Sequence, residues 1–340
     1  MHARLNLMVL LCAACALAVY AGAHAQPLAT GTGQAYPAKT VRVIIPWPTG
    51  GLTDVAGRLY FQKMSQALGQ QFVIDNRPGA SGTIGADIVA KLPADGYTLM
   101  VHSTTHVANP HLMAKLPYDT LRDFTAVGLL CAQVGLLVVH PALPVKNIQE
   151  LIAFAKVRPD QLLYASAGNG SYGHLTMAQL NAMTGTRMVQ VPYKGGAQAV
   201  TSLISGETQL FISSPAAVQA PLACGDCQCA HASRLQRRAL AVTAGERLAR
   251  LPDIPTIAEA GVPGYDMNSW VGAFAPAGLP KNIVDFVNAE IKKVMDAPDM
   301  KSRLEMLDPW YMTPQQMAAR VKVDYEKFGK LIRMTGVKAE

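Results

Sequence analysis

The stretch "IIPWPTGGLTDVAGRLY", residues 44–60, decides the fold. It completes an apolar, β-branched run, "VRVIIP" (41–46), of the kind that forms a strand buried on both faces. Pro46 and Pro48 stiffen the exit from that strand. Gly50 and Gly51 open dihedrals closed to other residues and let a ligand come close. "TDVAGRLYFQKMSQALG" (53–69) then has helical period and stops at Gly69, with Thr53 or Asp54 expected to cap it. Such a turn presents unpaired N–H groups and the positive end of the helix dipole. Neither G-x-x-x-x-G-K-[ST] nor G-x-G-x-x-G occurs here, and no lysine follows the glycines. A carboxylate therefore fits the turn better than a triphosphate. The plain alternative is an ordinary strand-to-helix turn whose polar residues only cap.

Outward from this turn, strand and helix signals alternate. "QFVIDNRP" (71–78) and "YTLMVHS" (97–103) read as strands around a short helix at 82–93. The pattern restarts with strands at 134–141, 162–168, 187–193, 208–214 and 238–244. Helices at 147–159, 171–185 and 197–206 lie between them. This is an α/β chain of two units in series, each expected to hold a mixed, mostly parallel sheet. "WVGAFAP" (270–276) reads as a strand that returns the chain to the first unit, ahead of a helical tail from Ile283. "VGLLVV" and "VGAFAP" would then be two hinge crossings. The expected organisation is a leader over 1–25, a linker over 26–35, a first lobe from 36–133 and 270–340, and a second lobe over 134–269.

The start of the chain reads as an export signal. Arg4 precedes the apolar stretch "LNLMVLLCAACALAVYAGA", and "AHA" (23–25) fits a small-x-small cleavage pattern. Removing 1–25 leaves 315 residues, a length suited to two domains, and lowers the net charge from +7 to +6. No later window is apolar enough to span a membrane. The basic residues are scattered and no nucleic-acid motif appears, so the charge reads as a solvated surface rather than a nucleic-acid partner. Cys224, Cys227, Cys229 and His231 cluster in "CGDCQCAH". That spacing offers either metal ligands or a surface-loop disulfide in an oxidising compartment. A structural zinc site draws on two separated pairs, so no metal site is assigned.

Two further turns repeat the chemistry of the first. "YASAGNGSYGHL" (164–175) runs from a strand through Gly168, Asn169 and Gly170 to Ser171 at a helix start. "VPYKGGAQAV" (191–200) places Lys194 beside Gly195 and Gly196. Open α/β sheets bind ligands at the carboxyl ends of their strands, where these turns lie.

"YPAKTVRVIIPWPTGGLTDVAGR", "NRPGASGTIGADIVAKLPADGYTLM", "YASAGNGSYGHL", "VPYKGGAQAV" and "LPDIPTIAEAGVPGY" together resemble the Bug family, over nearly all of residues 36–340. These are periplasmic solute-binding receptors of tripartite tricarboxylate transporters. The resemblance implies a two-lobed periplasmic-binding-protein (Venus-flytrap) fold. It implies a small organic acid, carboxylate or amino acid, held in the interlobe cleft without a cofactor. It also implies integral membrane transporter subunits as partners, and we expect a monomer. The matching positions are Pro46, Thr49, Gly50, Gly51, Thr53 and Asp54 in the first turn, with Ser103, Thr104 and His106 after the third strand. From the second lobe come Ser166, Gly168, Ser171, His174, Tyr193, Lys194, Gly195 and Ser213, with Ser214 beside it. Each has a plain alternative: His174 as a satisfied buried group, Tyr193 as packing, Asp54 as a cap, Lys194 as surface charge. Trp270 reads as packing. Two segments depart from the family pattern: the insert "PLACGDCQCAHASRLQR" (221–237), and "LDPWYMTP" (307–314), where a glycine turn is usual.

Two competing functions share these residues. "NGSYG" (169–173) resembles a nucleophile elbow, with Ser171 as nucleophile and Asp226 and His231 as partners, in a secreted hydrolase. The elbow lacks its first glycine, and that acid and base share one short loop. A ligand sensor of the same fold, without transport, is the other alternative.

Overall fold

The computed structural model describes residues 28–29, 35–213, 239–305 and 307–338. A two-residue ladder pairs β1 (Leu28–Ala29), in the segment expected to be a linker, with β2 (Ala35–Tyr36), where that segment meets the first lobe. The first sheet contains β3 (Val41–Ile45), β4 (Phe72–Asn76), β5 (Thr98–Ser103), β6 (Phe124–Gln133) and β12 (Ser269–Pro276). Its order is β4-β3-β5-β12-β6. The second sheet contains β7 (Leu136–Val139), β8 (Leu163–Ser166), β9 (Val189–Pro192), β10 (Leu210–Ser213) and β11 (Ala239–Val242), in the order β11-β7-β10-β8-β9.

Side-chain alternation explains why these runs form two-faced sheets. Val41, Val43 and Ile45 enter one apolar cluster and Ile44 the other, so β3 feeds a core on each side. The same holds in β7, where Leu136 and Val138 face away from Leu137 and Val139. Helices cover these faces: α1 (Leu52–Leu68), α2 (Thr83–Ala90) and α3 (Thr105–Leu112) in the first lobe; α4 (Ile148–Lys156), α5 (Tyr172–Thr184) and α6 (Gly196–Ser205) in the second. The tail forms α7 (Lys281–Asp296), α8 (Lys301–Glu305) and α9 (Pro314–Thr335).

Both sheets are mixed, but among the described residues parallel and antiparallel pairings are equal in number. The strands next to the crossings, β6, β7, β11 and β12, supply the antiparallel half. The strand expected over 134–141 is the shorter β7, and the ten-residue β6 precedes it in the other sheet. The chain thus crosses between sheets at Val134–Gly135 and returns at Asn268. The two crossings run side by side. Thr243 N donates to Gly135 O (2.9 Å), Gly135 N to Thr243 Oγ1 (2.9 Å) and Met267 N to Thr243 O (2.9 Å).

The tail ties the two units together. α9 packs on α3 of the first lobe and α5 of the second. Its Phe328, Leu331 and Ile332 share one buried cluster with Leu112 and Leu175. Trp270, fully buried at the start of β12, donates from Nε1 to Asp324 on α9 (2.7 Å). At the unusual 307–314 segment, Asp308 adopts the left-handed conformation (φ 51°) that a glycine turn would supply. Asp tolerates this region better than most residues. It is anchored there by its carbonyl, which accepts from Ala132 N (2.8 Å), and by its carboxylate, which pairs with Arg250.

Candidate functional site

Strand register fixes where the site lies. Asn76 pairs with Ile45, Val271 with Ser103 and Ser269 with Gln133, so these residues end one edge of the first sheet. Ser166 pairs with Pro192, and both Ser213 and Val242 with Leu136, along one edge of the second. Both crossings leave from these same edges. The carboxyl ends of the parallel strands in both lobes therefore meet at one cleft.

In the first lobe, Pro46 is buried and Thr49, Gly50 and Gly51 are exposed, with Gly50 at φ 85°. α1 has Gly51 as its N-cap, and neither Thr53 nor Asp54 caps it by side chain. Asp54 instead reaches back from the third helical position to accept from Gly50 N (2.9 Å). Its buried carboxylate also accepts from Arg58 Nε (3.0 Å) and Asn76 Nδ2 (2.9 Å). Burial alone would raise the Asp54 carboxyl, but the bonds from Arg58, Gly50 and Asn76 outweigh it and hold it below the ordinary value. Ser103 ends β5 and Thr104 opens α3. The Thr104 hydroxyl meets that of Ser269, which bonds on to Gln133 Oε1 (3.1 Å) beside the crossing.

In the second lobe, Gly168 (φ 118°) and Gly170 (φ 70°) bend the chain into α5. Ser171 is the N-cap, and its Oγ accepts from His174 N. Gly170 N donates to His174 Nδ1 (3.0 Å), which places the ring proton on Nε2 and leaves that nitrogen a donor. The Ser166 hydroxyl is occupied within the turn, accepting from Gln190 Nε2 (2.7 Å) and Gly168 N (3.3 Å). Tyr193 N donates to Ser166 O (2.9 Å), and the buried Tyr193 hydroxyl has no partner among the described residues. Gly195 caps α6 behind the exposed Lys194. Ser213 ends β10 and is buried. Ser214 and the Cys224–His231 cluster lie outside the described residues.

The lobes touch across the cleft at a segment the sequence analysis did not assign to the site. Ser81 Oγ donates to Asn169 O (2.6 Å), and Asn109 Nδ2 donates to Ser81 O (3.0 Å). Residues 79–82 all have positive φ, including the non-glycines Ala80 (46°) and Ser81 (54°). A Cβ on Gly85, in the helix that follows, would lie 2.6 Å from Pro46 Cβ. The first-lobe turn, the 79–85 segment and the 168–171 turn are thus in contact sequence. Only the flanking Gly79 and Gly82 hinted at the strained bend.

His106 is not on the cleft wall. It is the second residue of α3, fully buried, with its ring against Phe124 (4.6 Å), Phe274 (5.0 Å) and His102 (5.0 Å). Burial lowers His102 to about 3 and His174 to about 4, and burial with the neighbouring His102 holds His106 well below its ordinary value. In the unfolded chain these rings protonate near 6.5. Below that pH the unfolded chain binds the extra protons, so stability is full above about 6.5 and falls as pH drops toward 4. Urea unfolding at pH 5 should show a loss of about 2 kcal/mol per histidine relative to pH 7. Equal stabilities would contradict the burial of these rings.

Two α/β lobes, two adjacent crossings and a cleft at the strand ends define a two-lobed, Venus-flytrap solute-binding protein. The family model described as "Tripartite tricarboxylate transporter family receptor" matches residues 57–337, and the chain belongs to this family. Protein BugT of Bordetella pertussis is 31% identical over 307 residues, covering 89% of this chain and 91% of its own. The structure of Rpa4515 from R. palustris with adipate has 35% identity and a TM-score of 0.80, covering 89% of this chain and 99% of that one. MatC of Rhodopseudomonas palustris with bound malate has 32% identity and a TM-score of 0.77, covering 87% and 100%. The family consists of solute receptors, not enzymes, so Ser171 is a helix cap rather than a nucleophile.

Proposed function

We propose that this protein, exported to the periplasm through its N-terminal leader, captures a small carboxylic acid in the cleft. It then delivers that acid, as a monomeric receptor, to the membrane subunits of a tripartite tricarboxylate-type transporter. One observation carries the reading: the N-termini of α1, α5 and α6, at Gly51, Ser171 and Gly195, follow directly from strand ends at the cleft. First-turn amides and the positive dipole ends favour an anion there. The His174 Nε2–H and the Tyr193 hydroxyl add neutral donors. Similar proteins hold adipate and malate, which supports a dicarboxylate.

The same geometry argues against an amino acid. Asp54 is the one carboxylate among the expected site residues, and it already accepts from Gly50, Arg58 and Asn76. A solute ammonium would have to compete with those donors for it.

A thermal-shift series with adipate, malate, citrate and aspartate tests this. A bound acid at about a hundred times its Kd stabilises the protein by about 2.7 kcal/mol. For a chain of this length that corresponds to a rise in Tm of roughly 4 °C. The plain acids should raise Tm and aspartate should not. Stabilisation by nucleotides or metals alone would defeat the proposal.

A further inference from the structure

We infer that Asp54, Arg58 and Asn76 form a positioning network that holds the 47–51 turn ready for a solute carboxylate, without touching the solute themselves. The inference rests on the carboxylate reading of the cleft. Three chain segments are joined by the network. Asp54 comes from the first turn of α1 and Arg58 from its second. Asn76 is the last residue of β4. Asp54 Oδ2 accepts from Gly50 N (2.9 Å), and Asn76 Nδ2 bridges Asp54 Oδ1 (2.9 Å) and Trp47 O (3.0 Å). Arg58 closes the triangle, donating from Nε to Asp54 and from Nη2 to Asn76 Oδ1 (2.7 Å). The turn is thereby gripped at both ends, Trp47 and Gly50, while Pro48, Thr49 and Gly51 remain exposed.

Among the described residues, no other hydrogen bond holds the turn's apex. Gly50 takes a left-handed φ, and among those residues no atom beyond its chain neighbours lies within 4 Å of where its Cβ would be. Left to itself, a glycine pair samples many conformations, and ordering it on binding would cost affinity. Spending the Gly50 N–H on Asp54 fixes the turn before the solute arrives. The amides that follow, at the start of α1, stay directed at the cleft. The Arg58 guanidinium balances the Asp54 charge, so the network presents little net charge to the incoming anion.

Asp54→Ala decides between positioning and charge, because the two predict opposite signs. Removing a negative group near an anion site strengthens binding by Coulomb's law. Loosening the turn weakens it. Calorimetry with whichever acid stabilises the wild type should show affinity falling at least about tenfold in Asp54→Ala, which is 1.4 kcal/mol. Asn76→Ala, which changes no charge, should fall similarly. Asp54→Asn keeps one acceptor for the Gly50 N–H and should recover part of the loss. Asp299→Ala, which breaks the exposed Lys63–Asp299 pair elsewhere on the first lobe, is the charge-matched control and should bind as the wild type does. Measured well below their melting points, the Asp54 and Asn76 variants should also show faster hydrogen exchange at the Gly50 amide. Should Asp54→Ala fail to fold, Asn76→Ala and Asp54→Asn carry the same test. Unchanged or tighter binding in Asp54→Ala, or unchanged binding in Asn76→Ala, overturns the network's role while the receptor reading stands. A wild type that binds no acid overturns both.

Discussion

Ser171→Asp should keep the fold and lose the solute. Ser171 is the N-cap of α5, and aspartate caps a helix about as well as serine. The substitution therefore leaves the His174 N–H with an acceptor and should leave Tm within a few degrees. It also places a full negative charge at a helix start where the solute's carboxylate is proposed to bind. Like charges held together at an interface cost several kcal/mol, and each 1.4 kcal/mol is a factor of ten. Affinity for the acid should fall by at least about a hundredfold. Calorimetry on the folded variant is the measurement. Binding within about fivefold of the wild type would place the solute away from the second-lobe turn.

The largest stability effect is expected at Trp270. Its side chain is fully buried, its ring lies 5.8 Å from that of Phe274, and its indole N–H is held by Asp324. Truncating a buried tryptophan to alanine costs about 3–5 kcal/mol through lost transfer energy and the cavity left behind. Among the described residues the Asp324 carboxylate, itself fully buried, would keep only Arg320 as a partner, which adds to the cost. For a protein of this size Tm should fall by roughly 5–8 °C. Trp270→Phe should lie between, since it refills part of the volume but supplies no donor. A chemical-denaturation series that shows less than about 1 kcal/mol for Trp270→Ala would contradict the packing described.

Local chemistry made the frame of the site readable. The turns at Gly50–Gly51 and Gly168–Ser171 announce themselves because a buried strand, a glycine and a helix start follow one another within a few residues. The crossings were readable for a similar reason, as apolar strands that interrupt the strand–helix alternation. What escaped depends on residues distant in sequence. Asp54 looked like a cap, yet its bond to Asn76 spans 22 positions and makes it a clasp for the turn. Ala80 and Ser81 carry no signal for positive φ, and the bend there is held by Asn109 and Asn169. His106 has the residue type of a ligand, but α3 turns it inward among aromatic rings that periodicity alone does not bring together. Asp308 does the work of a glycine, an option that a pattern of family glycines hides.

Helix α9 bears on how the receptor moves. A 22-residue strut seated on both halves resists a simple jaw motion about the paired crossings. Widening the mouth therefore has to disturb the seam where α5 meets α9, at the back of the molecule.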